Sequence, residues 1–70
     1  MVDTKTEVTK LRSERVRRGW SLLEVARRTG ITPGDVSMVE RGLRPAFPGW
    51  RRRLARAFQM SEQALFGDLP

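Results

Sequence analysis

Cysteine and histidine are both absent from this chain of 70 residues. Without cysteine there is no disulfide and no thiol nucleophile. Without histidine the chain lacks the commonest zinc ligand and the usual general base near neutral pH. The lack of cysteine fits the reducing cytoplasm, which is the expected location. No apolar run approaches the roughly 20 residues that span a bilayer, and the N-terminal MVDTKTEVTK has no apolar stretch of secretory-signal type. The serines Ser13, Ser21, Ser37 and Ser61 have no histidine to activate them, and no carboxylate pair stands out. The expectation is a binding module, neither an enzyme nor a membrane protein, with no cofactor and no metal.

Negative charge is the other shortage. Eight Asp and Glu stand against fourteen Lys and Arg, for a net charge of +6, and twelve of the fourteen cations are arginine. Arginine favours planar, bidentate contact with phosphate or carboxylate. A positive excess on so small a domain suits nucleic acid, anionic lipid or an acidic protein, although it would also serve solubility. A chain of this length makes one domain, expected over residues 1–70 with loose ends at 1–4 and 68–70. It can bury only about 60% of its unfolded surface, so its core must be small.

Local signals divide the chain into helices. Gly19, Gly30, Gly42 and Gly67 each follow a segment of helical spacing, as at a left-handed helix cap. Thr4 with Glu7, Ser21 with Glu24 and Thr32 with Asp35 each set a capping hydroxyl three residues before a carboxylate. Ser61 can cap a last short helix, and Pro33 and Pro48 suit first-turn positions. The pattern predicts an all-α chain of five helices, at about 5–18, 22–29, 33–41, 48–58 and 62–66. Apolar spacing assigns Val8, Leu11, Val25, Ala26, Val36, Val39, Trp50, Leu54, Ala57, Phe58, Leu65 and Phe66 to the core, with Trp20, Ile31 and Met60 filling gaps.

The second and third predicted helices carry a specific arrangement. Ala26 supplies a small residue where two crossing helices approach most closely, Gly30 the bend, and Val36 and Val39 an apolar face on the second helix. Those are the packing needs of a helix-turn-helix, expected here at about 21–41. The wider sequence resembles the phage repressor/Cro type of helix-turn-helix domain, the XRE family, from about Val8 to Gly67. The resemblance is carried by Arg15, Gly19, Trp20 and Ser21, by EVARRTGIT and VSMVERG, and by the LARAFQMSEQALFG ending. It implies a compact five-helix bundle of lambda repressor-like type. It further implies a sequence-directed transcriptional regulator, repressor-like, which binds double-stranded DNA as a homodimer with helix 33–41 in the major groove. The resemblance also pairs Arg15 with Glu40 as a structural ion pair between the first and third helices.

Helical geometry puts Gly34, Ser37, Met38 and Arg41 on one stripe opposite Val36 and Val39. The resemblance turns that stripe, with Thr32 and Pro33 at the tip and Ser21 nearby, toward DNA. Base reading is limited to Met38 against a thymine methyl, the Ser37 hydroxyl, and Arg41 on guanine or phosphate. The helix start is expected to offer a row of backbone N–H groups to a phosphate, with Asp35 turned back as capping partner. Arg44 would contact phosphate just beyond the helix, and Arg51, Arg52 and Arg56 would be exposed on helix 4, with Arg53 nearer its edge. Arg17, Arg18, Arg27 and Arg28 are better read as complements to helix ends. The alternative reading is a protein–protein adaptor, motivated by an apolar surface of Leu22, Pro33, Gly34 and Met38. A protein partner supplying a regulatory signal fits either reading.

Overall fold

The computed structural model describes residues 9–67, and all of their regular structure is helical. The elements are α1 (Lys10–Arg17), α2 (Leu22–Thr29), α3 (Pro33–Glu40), α4 (Pro48–Phe58) and α5 (Glu62–Phe66). The protein is a compact five-helix bundle. The first helix begins later than its periodicity suggested. Thr9 is extended, and its hydroxyl accepts the Arg12 N–H at 3.2 Å, so Thr9 is the cap. The Thr4 and Glu7 cap, the Val8 core position and the proposed loose ends lie outside the described residues.

Three hydroxyl caps start the later helices. Ser21 accepts from the Glu24 N–H, Thr32 from the Asp35 N–H and Ser61 from the Ala64 N–H, at 3.0, 3.2 and 3.0 Å. The reciprocal half of the expected boxes does not form at Ser21 or Thr32, because both carboxylates turn to arginines. Glu24 pairs with Arg27 and Arg28, and Asp35 with Arg44. Between α2 and α3, Gly30 takes φ 79°, a left-handed conformation costly for any residue with a Cβ. Its N–H closes on the Ala26 carbonyl at 2.7 Å. At the end of α4 the same conformation falls on Gln59, with φ 56°, so a glycine rule misses this stop.

Leu11, Val25, Ile31, Val36, Leu54, Phe58 and Leu65 form the core, with Trp20, Leu22, Val39, Trp50, Ala57, Met60 and Phe66 packed around it. Ala26 is only half-buried, whereas Ala55, which the spacing did not single out, is buried. Leu22 packs inward, so it is lost from the apolar surface that favoured an adaptor. The α2–α3 turn is tied by Thr29, whose buried hydroxyl donates to the Val25 carbonyl at 2.8 Å and accepts the Ile31 N–H at 3.2 Å. One threonine thus meets the polar needs of a turn that Ile31 plugs from inside.

Charged groups bind the helices at their edges. Arg15 Nε lies 2.5 Å from Glu40 Oε2, its second nitrogen 3.2 Å from Oε1, and a third donates to the Trp20 carbonyl at 2.9 Å. Glu40 is 5% exposed, so its charge depends on this fork. Arg18 donates to the Phe58 carbonyl at 2.8 Å and lies over the Phe58 ring. Trp20 stacks edge-on against Phe58 with centroids 5.1 Å apart, and Arg28 covers its outer face at 4.0 Å. Arg17, Arg18, Arg27 and Arg28 stand at helix ends as expected, and Arg18 and Arg28 add definite side-chain partners there.

Glu14 is a buried acid that sequence spacing did not mark. It receives Arg17 at 2.8 Å, Arg18, and Lys10 at 3.6 Å. Hydrogen bonds from Arg17 and then Arg18 hold its carboxyl down at about 2 from an ordinary 4.5.

Two expectations follow. Glu40→Gln leaves Arg15 without a counter-charge in a covered site, and the loss of stability in chemical denaturation should be roughly 3–5 kcal/mol; an unchanged midpoint would remove the ion pair from the account. Glu14 titrates lower in the folded chain than in the unfolded one. Its stabilisation is therefore complete above about pH 4.5 and is lost as pH falls through about 2. The gap between the urea midpoints of the wild type and Glu14→Gln should close across that window, and a gap constant with pH would contradict it.

Candidate functional site

The start of α3 is exposed. Thr32, Pro33 and Gly34 are exposed in succession, and Asp35 is half-buried behind them. Pro33 fixes the first helical φ and brings no N–H. The Asp35 N–H is taken by the Thr32 hydroxyl and the Val36 N–H by the Thr32 carbonyl at 2.9 Å. The expected row of free N–H groups therefore reduces to one within this turn, at Gly34. A Cβ built on Gly34 would meet nothing within 4 Å, so the fold does not require glycine there. What glycine provides is a low-profile tip with one open donor at the positive end of the helix. The capping hydroxyls of Thr32 and Ser21 accept through a lone pair, which leaves their own hydrogens available outward.

Along the same helix Ser37 and Met38 are half-buried and Arg41 is exposed. Arg41 is the C-cap, and its Nε reaches back to the Ser37 carbonyl at 3.4 Å, a long bond readily exchanged for a stronger acceptor. The opposite side carries Val36, fully buried, and Glu40, locked to Arg15. The orientation of this short helix is thus set from behind by Val36, Val39 and one ion pair.

The cations around this face are not equivalent. Arg44 Nε lies 3.5 Å from Asp35 Oδ1, so the one acid of the α3 front is held by an arginine from the following loop. Arg51 is not the exposed cation that spacing suggested. It is half-buried, pairs with Glu62 at 3.4 Å and lies 4.9 Å over the Phe66 ring. The reason is that α4 packs on two sides, against α2 and against α5, and the second contact covers Arg51. Arg52 and Arg56 are exposed, as is Arg53, which reaches toward Gly30. Sequence reasoning missed the Asp35–Arg44 pair because its partners belong to different elements. Their opposite charges beside a helix tip were the available signal.

Residues 8–66 match the helix-turn-helix domain family. The chain belongs to that family. No curated protein and no solved structure matches it. A helix-turn-helix domain points in general terms to a DNA-binding regulator, and such domains are typically not enzymes. Among the described residues no group of three or more side chains is arranged to hold a metal ion. No described helix is long and apolar enough to cross a membrane. Asp35, the one carboxylate at the front of α3, is paired with Arg44 within the fold.

The Asp35–Arg44 pair gives opposed expectations for duplex binding. Asp35→Asn should raise affinity for every sequence a few-fold. Arg44→Ala should lower it and flatten the dependence of log K on log salt by about one unit. Fluorescence anisotropy at several salt concentrations measures both, and equal behaviour of the two variants would remove the pair from the candidate site.

Proposed function

We propose that this helix-turn-helix is a sequence-directed transcriptional regulator, repressor-like, that lays α3 in the major groove of double-stranded DNA. The observation that carries the reading is the front of α3, from Thr32 to Arg41. It combines a bare tip, one open N–H, a masked carboxylate and a flanking arginine. Thr32, Pro33 and Gly34 approach the duplex, with the Ser21 hydroxyl placed for a phosphate. Met38 meets a thymine methyl, Ser37 offers a hydroxyl, and Arg41 exchanges its own carbonyl for guanine or phosphate. Arg44 and Arg52 contribute backbone affinity. With no amide side chain on this front, discrimination rests largely on apolar contact and DNA shape, so the recognised site is short and loosely defined.

A homodimer on a pseudo-palindromic site completes the reading, with half-sites about 34 Å apart. Phe66 is half-buried beneath Arg51 and offers little to a dimer contact. Better support comes from Leu43 and Phe47, which are 61% and 45% exposed. Leu43 borders a shallow pocket with Val39, Pro45, Ala46 and Phe66. Apolar side chains left in water beside a preformed pocket favour a self-complementary contact.

Gly34→Ala separates binding from folding. The added methyl meets open space, so stability should hold or rise by about 0.5–1 kcal/mol, while close approach to the duplex is blocked. The expected result is an unchanged or higher melting temperature with several-fold weaker duplex binding. A variant that binds as well as the wild type, with chemical shifts of residues 32–44 unmoved by DNA, would end the proposal.

A further inference from the structure

The acids among the described residues are Glu14, Glu24, Asp35, Glu40 and Glu62, and each is paired with at least one arginine. That pairing leaves Arg12, Arg41, Arg52, Arg53 and Arg56 without a carboxylate partner among the described residues. Three of these lie on α4, at spacings of one, three and four residues, opposite its buried Leu54, Ala55 and Phe58. Like charges three and four apart on a helix repel one another. The fold gains nothing visible from this arrangement.

These arginines line a cleft of about 490 Å³ between α4 and the C-terminal end of α2. Its walls are Arg28 and Thr29 from α2, and Gly49, Arg52, Arg53 and Arg56 from α4. No carboxylate lines it. The α2 terminus contributes about half a negative charge, well short of balancing three guanidinium groups. Low-dielectric walls around excess charge of one sign focus the field on an incoming anion, and guanidinium forks match phosphate oxygens in pairs. At Gly49 a Cβ would meet nothing within 4 Å, so the backbone lies open to an approaching group.

No residue of α3 or of the loop after it borders this cleft. Its edge nevertheless adjoins the α3 tip, because Arg53 Nη1 stands 3.8 Å from the Cβ position of Gly30, two residues before the Thr32 cap. A strand whose bases face that tip would carry its flanking phosphates toward α4. We infer that the α2–α4 cleft is a second anchor, which binds phosphate groups of the nucleic-acid backbone through Arg52, Arg53 and Arg56. This rests on the proposed binding of duplex DNA, and joins Arg52, there given a backbone contact, to Arg53 and Arg56 in a site distinct from the front of α3.

The test compares the wild type, Arg52→Gln/Arg53→Gln/Arg56→Gln and Gly34→Ala in duplex titrations at several salt concentrations. The triple variant should melt no lower than the wild type, since it removes repulsion. It should flatten the salt slope by about two to three units and keep the same preference among sequences. A slope changed by less than one unit in the folded variant overturns the anchor. Normal binding by Gly34→Ala with a flattened triple variant would instead sink the α3 reading and leave the anchor standing. Side-chain NMR of the arginine Nε groups, with duplex and separately with inorganic phosphate, identifies the occupant. Shifts of Arg52, Arg53 and Arg56 with duplex are expected, and a response to free phosphate only would overturn the backbone assignment.

Discussion

The covered fork between Arg15 and Glu40 is the contact on which the arrangement of α3 depends. An eight-residue helix that opens with proline and glycine would be marginal in isolation. It persists because the bundle grips its rear face. Val36 supplies apolar contact with the core, and Glu40 anchors the far end to α1 through two nitrogens of one guanidinium. A third nitrogen of the same group holds the Trp20 carbonyl and so fixes the lead-in to α2. One arginine thereby links three segments. Its charge is affordable inside only because both carboxylate oxygens and a carbonyl satisfy it together.

With the rear fixed in this way, the front of α3 can be shaped by contact with a partner. Gly34 would be a poor choice where stability was the only concern, since it packs nothing and a methyl would meet open space. Thr32 compensates by holding two N–H groups, one with its hydroxyl and one with its carbonyl. The turn before it is similarly self-sufficient, because Thr29 serves as both donor and acceptor at the bend. The tip is thus rigid without bulk, which suits close approach to a backbone.

Charge is sorted by the fold. Most arginines are committed to internal partners: acids, ring faces or carbonyls at helix ends. Arg18 and Arg28 cover aromatic edges of the core as much as they pair with Glu14 and Glu24. In a domain too small to bury all its rings, the long stems of these residues act as extra apolar cover. Subtracting the cations paired with acids leaves, among the described arginines, Arg12 on α1, Arg41 at the end of α3, and three on α4. The proposed contact surface is better defined by this remainder than by the total of +6.

Much of the fold could be read along the chain because the deciding signals act over three or four residues. A hydroxyl at Ser21, Thr32 or Ser61 finds an N–H one turn away whatever surrounds it. Pro33 and Pro48 suit the start of a helix, and Val36 with Val39, and Trp50 with Leu54, Ala57 and Phe58, recur at spacings that share a helix face. The left-handed stop at Gln59, the burial of Glu14 and the inward turn of Leu22 carried no such signal. For the candidate site, helical periodicity placed Gly34 and Arg41 correctly on the exposed side of α3, whereas Ser37 and Met38 of the same stripe are half-buried by neighbours that periodicity does not see. The allocation of arginines was decided by the tertiary structure alone. A guanidinium on a flexible stem pairs with whichever acid or ring the packing brings within reach, so only the folded chain could turn Arg51 inward, set Arg44 on Asp35 and leave Arg52, Arg53 and Arg56 facing a common cleft.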